Sequence, residues 1–153
     1  MTHHLAGIVP ELYRSGIGVP YQWWAGETAT RFFVAIRDEK KIMGTKCAKC
    51  ARVFVPPRKT CPSCFIPNEQ WVTLSPEGEL ISFTVARKQL AALPRKAPVI
   101  FGLVKLDGAD TALLHMLGEM DPADVKIGMR VCAKFAENRK GGITDIEYFK
   151  PVS

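Results

Sequence analysis

Four of the chain's five cysteines stand in two matched pairs, Cys47-Ala48-Lys49-Cys50 and Cys61-Pro62-Ser63-Cys64, with ten residues between the pairs. Two residues between thiols let a tight turn aim both sulfurs at one point. Two such turns supply the four soft ligands of a tetrahedral ion. Zinc suits four thiolates and brings no redox chemistry. Rubredoxin-type iron takes the same ligands and is the alternative metal. Four cysteines leave no open position for substrate, so the ion is expected to be structural. Zinc knuckles favour glycine just after the second cysteine, where φ turns positive. Ala51 and Phe65 stand there instead, and looser or strained knuckles are expected.

Other reactive side chains are sparse. His115 lies in an apolar run and reads as a packed histidine; His3 and His4 are expected to be disordered. Cys132 alternates with Arg130 and Lys134, so its thiol is expected to be somewhat acidic. A lone cysteine without a base still reads as structural. There is no Ser-His-Asp order, no Gly-rich phosphate loop and no recognisable carboxylate pair. Catalysis by this chain alone is not expected.

The 153 residues, 47% hydrophobic, suffice for one ordinary domain or two small ones. No apolar run approaches the roughly 20 residues of a membrane span. Met1 to Pro10 lacks the pattern of a secretion signal. A soluble cytoplasmic protein is expected, whose cysteines serve metal or thiol chemistry. The net charge of +6 is uneven: residues 41–70 carry six basic side chains against Glu69 alone, residues 71–153 eleven against ten. The excess sits where thiolates around a divalent ion would add negative charge. A near-neutral C-terminal half speaks against the basic stripe of a nucleic-acid binder.

Three regions must position the cysteines. Residues 1–41 are irregular at first, then helical from about Tyr21 to Lys40, with a break near Gly26 and Thr28 or Thr30 as cap. Trp24, Thr28, Phe32, Ala35 and Ile36 share one helical face, while Trp23 and Phe33 lie off it. The aromatics Tyr21, Trp23, Trp24, Phe32 and Phe33 either pack on the protein's own barrel or dock on a partner. Residues 42–70 form the ribbon, with residues 52–58 as a hairpin arm stiffened by Pro56-Pro57. Residues 71–153 read as five strands: Glu79–Arg87 with Ile81, Phe83 and Val85 on one face, then Val99–Leu106, Thr111–Leu117, Met129–Ala136 and Ile143–Phe149. A helical turn at residues 121–124 follows the third. The fold class is mainly β: an N-terminal helical segment, a rubredoxin-like zinc ribbon and a five-stranded OB-fold barrel.

The order of motifs is specific: an aromatic helix, Lys46-Cys47-x-x-Cys50, Phe54-Val55-Pro56-Pro57-Arg58, Cys61-Pro62-x-Cys64, Trp71, Gly78, Ile81-Ser82-Phe83-Thr84-Val85, Pro98, Val125-x-Ile127-Gly128-Met129-x-Val131 and Tyr148-Phe149-x-Pro151. Over roughly residues 21–151 it resembles the zinc-ribbon plus OB-fold family first catalogued as domain-of-unknown-function family thirty-five. The resemblance implies an acyl-CoA-associated accessory subunit that forms a complex with a thiolase-type enzyme, which holds the catalytic residues. Some members serve catabolic thiolases, including the one that cleaves benzoylsuccinyl-CoA. For such a subunit, phosphate contacts are expected from the loop pairs Arg87-Lys88 with Arg95-Lys96, from Arg139-Lys140 beside Gly141-Gly142, or from Arg58 and Lys59 in the ribbon. Leu90, Leu93 and Pro94 are expected on a pantetheine path or a partner contact. The alternative function for an OB-fold with a zinc ribbon is single-stranded nucleic-acid binding. An independent enzyme ranks last.

Overall fold

The computed structural model describes residues 7, 9, 16, 18–89, 91, 93 and 95–152. His3, His4, Leu90 and Pro94 lie outside the described residues.

The helix begins later than its periodicity suggests. Residues 21–26 are non-helical, and α1 spans Glu27–Val34 behind Gly26, whose φ of 83° only glycine adopts readily. Neither Thr28 nor Thr30 caps it; no side chain does. A π-helical turn, Ala35–Glu39, continues it and ends at Lys40 in a left-handed conformation. Phe32, Ala35 and Ile36 face inward as the helical period requires, while Trp24, expected on that face, is exposed.

β1 (Ile42–Lys46) is the middle strand of a small antiparallel sheet, flanked by β2 (Val53–Phe54) and β3 (Gln70–Leu74). Five strands then close a barrel in the order β4-β5-β6-β8-β7: β4 Glu77–Ala86, β5 Val99–Leu106, β6 Leu113–Leu117, β7 Arg130–Phe135 and β8 Ile146–Pro151. The β6–β8 pair is parallel, Leu117 beside Phe149, and the other neighbours are antiparallel. This is the OB-fold arrangement. Asp107-Gly108 makes the expected turn between β5 and β6, with Gly108 at φ 86°.

Two departures from simple alternation shape the barrel. A bulge between Leu80 and Ser82 switches the inward face of β4, so Leu80 is fully buried and Ile81 is exposed. The expected single face of Ile81, Phe83 and Val85 is broken there. Residues 143–145 form a 3-10 turn before β8 rather than its first residues. At Gly78 a Cβ would collide with the Lys105 carbonyl oxygen, so β4 and β5 approach closely only because glycine stands there.

Helix, ribbon and barrel share one hydrophobic core. Phe32 and Ile36 of the helical segment, Ile42, Val55 and Leu74 of the ribbon sheet, and Leu80, Val104, Leu113 and Phe149 of the barrel belong to a single buried cluster. A polar seam runs alongside. Val53 N–H donates to the Asp110 carboxylate at 2.8 Å and Asp110 N–H returns to the Val53 carbonyl at 2.9 Å. The Thr111 hydroxyl both accepts from Val55 N–H and donates to the Val55 carbonyl, each at 2.8 Å. Ribbon strand ends are thereby satisfied by the barrel. Thr111→Val should destabilise the protein by about 1–3 kcal/mol, because it orphans a Val55 amide that its own sheet does not pair. Denaturant unfolding and hydrogen exchange at Val53 and Val55 check this; an unchanged midpoint would show the seam is dispensable.

Candidate functional site

The two knuckles are built alike. Cys47 N–H donates to the Arg52 carbonyl (2.9 Å) and Ala51 N–H to the Cys47 carbonyl (2.9 Å). Cys61 N–H donates to Ile66 (3.0 Å) and Phe65 N–H to Cys61 (2.9 Å). Ala51 and Phe65 take φ of 59° and 57°, the conformation glycine usually supplies. Of the two expected outcomes the knuckles are strained and not loose: both turns close with full hydrogen bonds, at a cost of roughly 1–2 kcal/mol for each side chain in that region.

The four sulfurs lie within 4.8 Å of one another, and Cys50 Sγ is 3.8 Å from Cys61 Sγ. A tetrahedron of 2.3 Å zinc–sulfur bonds has edges of about 3.8 Å, so the cluster fits zinc with sulfur–sulfur adjustments of no more than about 1 Å. Cys47 and Cys61 are fully buried beside Phe54. The Cys50 backbone N–H pulls the Cys47 thiol down to about 6, against the opposing effect of burial. Burial pushes the Cys64 thiol up to about 12. Thr45, buried at the arm, accepts Arg58 N–H and donates to the Arg58 carbonyl, fixing the chain between the knuckles.

The eight basic residues expected at a phosphate site do not converge. Arg95 and Lys96 line a cleft of about 370 Å³ with Pro98, Met116 and Met120. Arg95 is also held by Glu147 at 3.0 Å and lies over the Tyr148 ring at 4.9 Å. Arg87 and Lys88, exposed at the end of β4, do not line that cleft. Arg139 is engaged elsewhere, donating to the carbonyls of Arg37 (2.6 Å) and Ala136 (2.8 Å). The backbone N–H groups of Lys140, Gly141 and Gly142 all point to the buried Asp145 carboxylate, at 2.9, 2.7 and 3.3 Å. An internal carboxylate thus fills the place expected for a phosphate. Arg58 lies 6.0 Å over Phe54. Lys59 faces two adjoining clefts beside the start of α1.

The aromatics divide. Phe32 is 2% exposed and is a core residue, which corrects its expected role at an interface; Phe33 is half-buried against the same core. Tyr21, Trp23 and Trp24 are 78%, 74% and 77% exposed.

Cys132 is not acidified: burial, then Glu77, pushes its thiol up, outweighing Lys150. His115 is packed, as expected. Its Nδ1 accepts Met116 N–H at 2.8 Å, which leaves the proton on Nε2 to donate to the Ile143 carbonyl at 3.1 Å. Burial lowers its pKa and keeps the ring neutral. Arg31 and Asn68 escaped sequence reasoning, and Trp71 was read only as a motif residue, because their partners lie on other elements. Arg31 stacks 4.4 Å over Trp71, and Asn68 Nδ2 donates to the Arg58 carbonyl at 3.0 Å.

Fold and cluster together define a zinc-ribbon and OB-fold protein whose metal is scaffold. The family follows from comparison. Residues 34–68 match the rubredoxin-like zinc ribbon domain of ChsH2, and residues 71–136 its C-terminal OB-fold domain. The chain therefore carries a ChsH2-type zinc ribbon followed by a ChsH2-type OB-fold, in agreement with the family-thirty-five resemblance. A scaffold protein containing that domain from Methanocaldococcus jannaschii is 27% identical over 76% of this chain and 86% of its own. One from Pyrococcus furiosus is 27% identical over 80% and 92%. The fold is shared with the solved Ltp2-ChsH2 aldolase (TM-score 0.64, 22% identity, 84% of this chain and 98% of that one). A family member of unknown function from Sulfolobus solfataricus superimposes with TM-score 0.59, 28% identity and coverage of 71% and 78%.

The zinc should be needed for folding rather than chemistry. Cys61→Ser or strong chelation should remove one zinc per chain and abolish the cooperative melt of the ribbon. Metal analysis with near-UV circular dichroism reads this, and an intact fold after zinc removal would contradict it.

Proposed function

We propose that the protein is a non-catalytic accessory subunit that binds an acyl-CoA and forms a complex with a thiolase-type acyltransferase. The observation that carries this reading is the run of exposed aromatics Tyr21, Trp23 and Trp24 ahead of α1. Such side chains each offer roughly 150–250 Å² for burial and are enriched at the centres of interfaces. The relatives described as scaffold proteins support an assembly role. Among the described residues, the Cys132 thiol donates to the Ala133 carbonyl at 3.8 Å and both His115 nitrogens are engaged, so neither is poised as a nucleophile or base.

The barrel surface also favours a protein or acyl partner over nucleic acid. OB-folds bind oligonucleotides on the face of their second and third strands, here β5 and β6. That face carries an apolar hollow of about 220 Å³ lined by Phe101, Leu114, His115, Met116, Ile143 and Thr144, without a lysine or arginine. Base-stacking surfaces need rows of aromatics and cations. Among the described residues, no helix is long and apolar enough to cross a membrane.

The chain should co-purify with a thiolase-like enzyme from its native cell, and acyl-transfer activity should require both. The double variant Tyr21→Ala/Trp23→Ala should lose capture by at least about tenfold while keeping its melting temperature. A partner that shows full activity alone and no binding to this chain would end this reading.

A further inference from the structure

We infer that the tip of the second knuckle, with Phe65 at its apex, is an anchor that seats in an uncharged apolar pocket of a partner protein, beside the contact made by Tyr21, Trp23 and Trp24. The inference deepens the accessory-subunit reading and rests on it for the identity of the partner only.

Folding gains nothing from the Phe65 ring. It is 82% exposed, and its backbone sits at φ 57°, where a bulky side chain is strained. Among the described residues the ring stacks on no other ring and lies under no cation. The small core around the cysteines leaves it out. The turn does not require it either. The equivalent position of the first knuckle, at φ 59° and with the same hydrogen bond to the first cysteine of its pair, holds Ala51. Glycine would serve both turns better. A side chain that costs stability by its conformation and buries nothing points to a functional contact. The tip is also pre-organised for one. Phe65 N–H donates to the Cys61 carbonyl and Cys61 N–H to the Ile66 carbonyl, so little freedom is lost on docking.

The tip continues the surface of the exposed aromatics. Thr60 and Pro67 pair across the feet of the knuckle. Lys59 and Pro67 line a cleft with the first turn of α1, and Lys59 lines the adjoining one with Trp24. Residues 18–26 and 60–68 hold no Asp, Glu, Lys, Arg or His, in a chain that is 24% charged. Rings without charges are the composition of an interface core. The same lack of lysine and arginine speaks against a membrane, whose anionic headgroups bind basic surfaces. A second copy is a poor match as well. The chain's own apolar hollow lies on β5 and β6, so a ring-to-hollow contact between copies joins unlike surfaces and does not close a dimer.

The test immobilises the zinc-loaded full chain, captures protein from the native cell's lysate, identifies it, and titrates it in purified form against wild type, Phe65→Gly and Ala51→Gly. Glycine suits both turns, so both variants should keep the wild-type melting temperature. Phe65→Gly should weaken the partner by at least about tenfold, and Ala51→Gly by less than about twofold. A thiolase-type enzyme bound equally by wild type and Phe65→Gly overturns the anchor while the accessory-subunit reading survives. A partner enzyme of another class that Phe65→Gly weakens tenfold, and Ala51→Gly does not, upholds the anchor and ends the thiolase reading. Equal weakening by both variants overturns the anchor, since the turn and not the ring would then matter. Capture of nothing by the wild type overturns it too. So does Phe65-dependent binding to vesicles of phosphatidylcholine and phosphatidylglycerol, or Phe65-dependent self-association in sedimentation, in place of a captured partner.

Discussion

The ribbon is too small to hold itself together by burial, and that constraint governs the rest of the molecule. Its private core is Cys47, Phe54 and Cys61, with Cys64 and Ile66 at the edge. Elements of this size need a cross-link or a neighbour. This one has both. Four thiolates on one ion tie residues 47 and 64 together from the inside, and the barrel holds the arm between them from the outside. Because Val55 and Leu74 lie in the large core with Leu80 and Leu113, the ribbon is packed as an extension of the barrel.

That arrangement explains how a short helix can be fixed at all. An isolated helix the length of α1 is marginal in water. Here Phe32 and Ile36 are buried in the common core, and the far end of the helical segment is held from across the chain. Arg139 reaches the Arg37 carbonyl, and the loop that carries Arg139 is itself ordered by Asp145 gathering three amides. The zinc cluster fixes the ribbon, the ribbon presents the helix start, and the β7–β8 loop secures its end.

The cysteine quartet, the five strands and the Asp107-Gly108 turn were legible because each is a local pattern: a spacing, an alternation, a dipeptide. The bulge at Leu80–Ser82 was not, since one extra residue in β4 is defined only against β5. The helix start was misplaced for a related reason. Trp24 has the right spacing for the buried face, but Gly26, extended at a positive φ of 83°, breaks the period before α1. The knuckles show the converse. Ala51 and Phe65 read as defects by residue type, yet the hydrogen bonds of each turn impose the glycine-like conformation anyway. Arg139 read as a free loop cation because its principal partner lies 102 residues away.

Charge alone therefore does not mark a binding surface in this protein; what each cation already touches decides. Arg130 is paired with Asp107 and Glu77, Lys134 with Glu119 and Tyr148, Arg95 with Glu147, and Arg139 with backbone carbonyls. These pairs are surface-exposed and contribute little stability individually, but they satisfy the donors that a ligand would need. The barrel is near neutral in formal charge, and these four of its cations are engaged internally. Around the ribbon the balance differs, with six basic side chains against one acidic between residues 41 and 70. Part of that excess answers the net negative charge of a tetrathiolate zinc centre. Of these six, Lys59 lines clefts beside the start of α1, Lys41 pairs with Glu39 and Arg58 lies over Phe54. The basic excess therefore sits in the ribbon, and the hollow on β5 and β6 is lined mainly by apolar side chains.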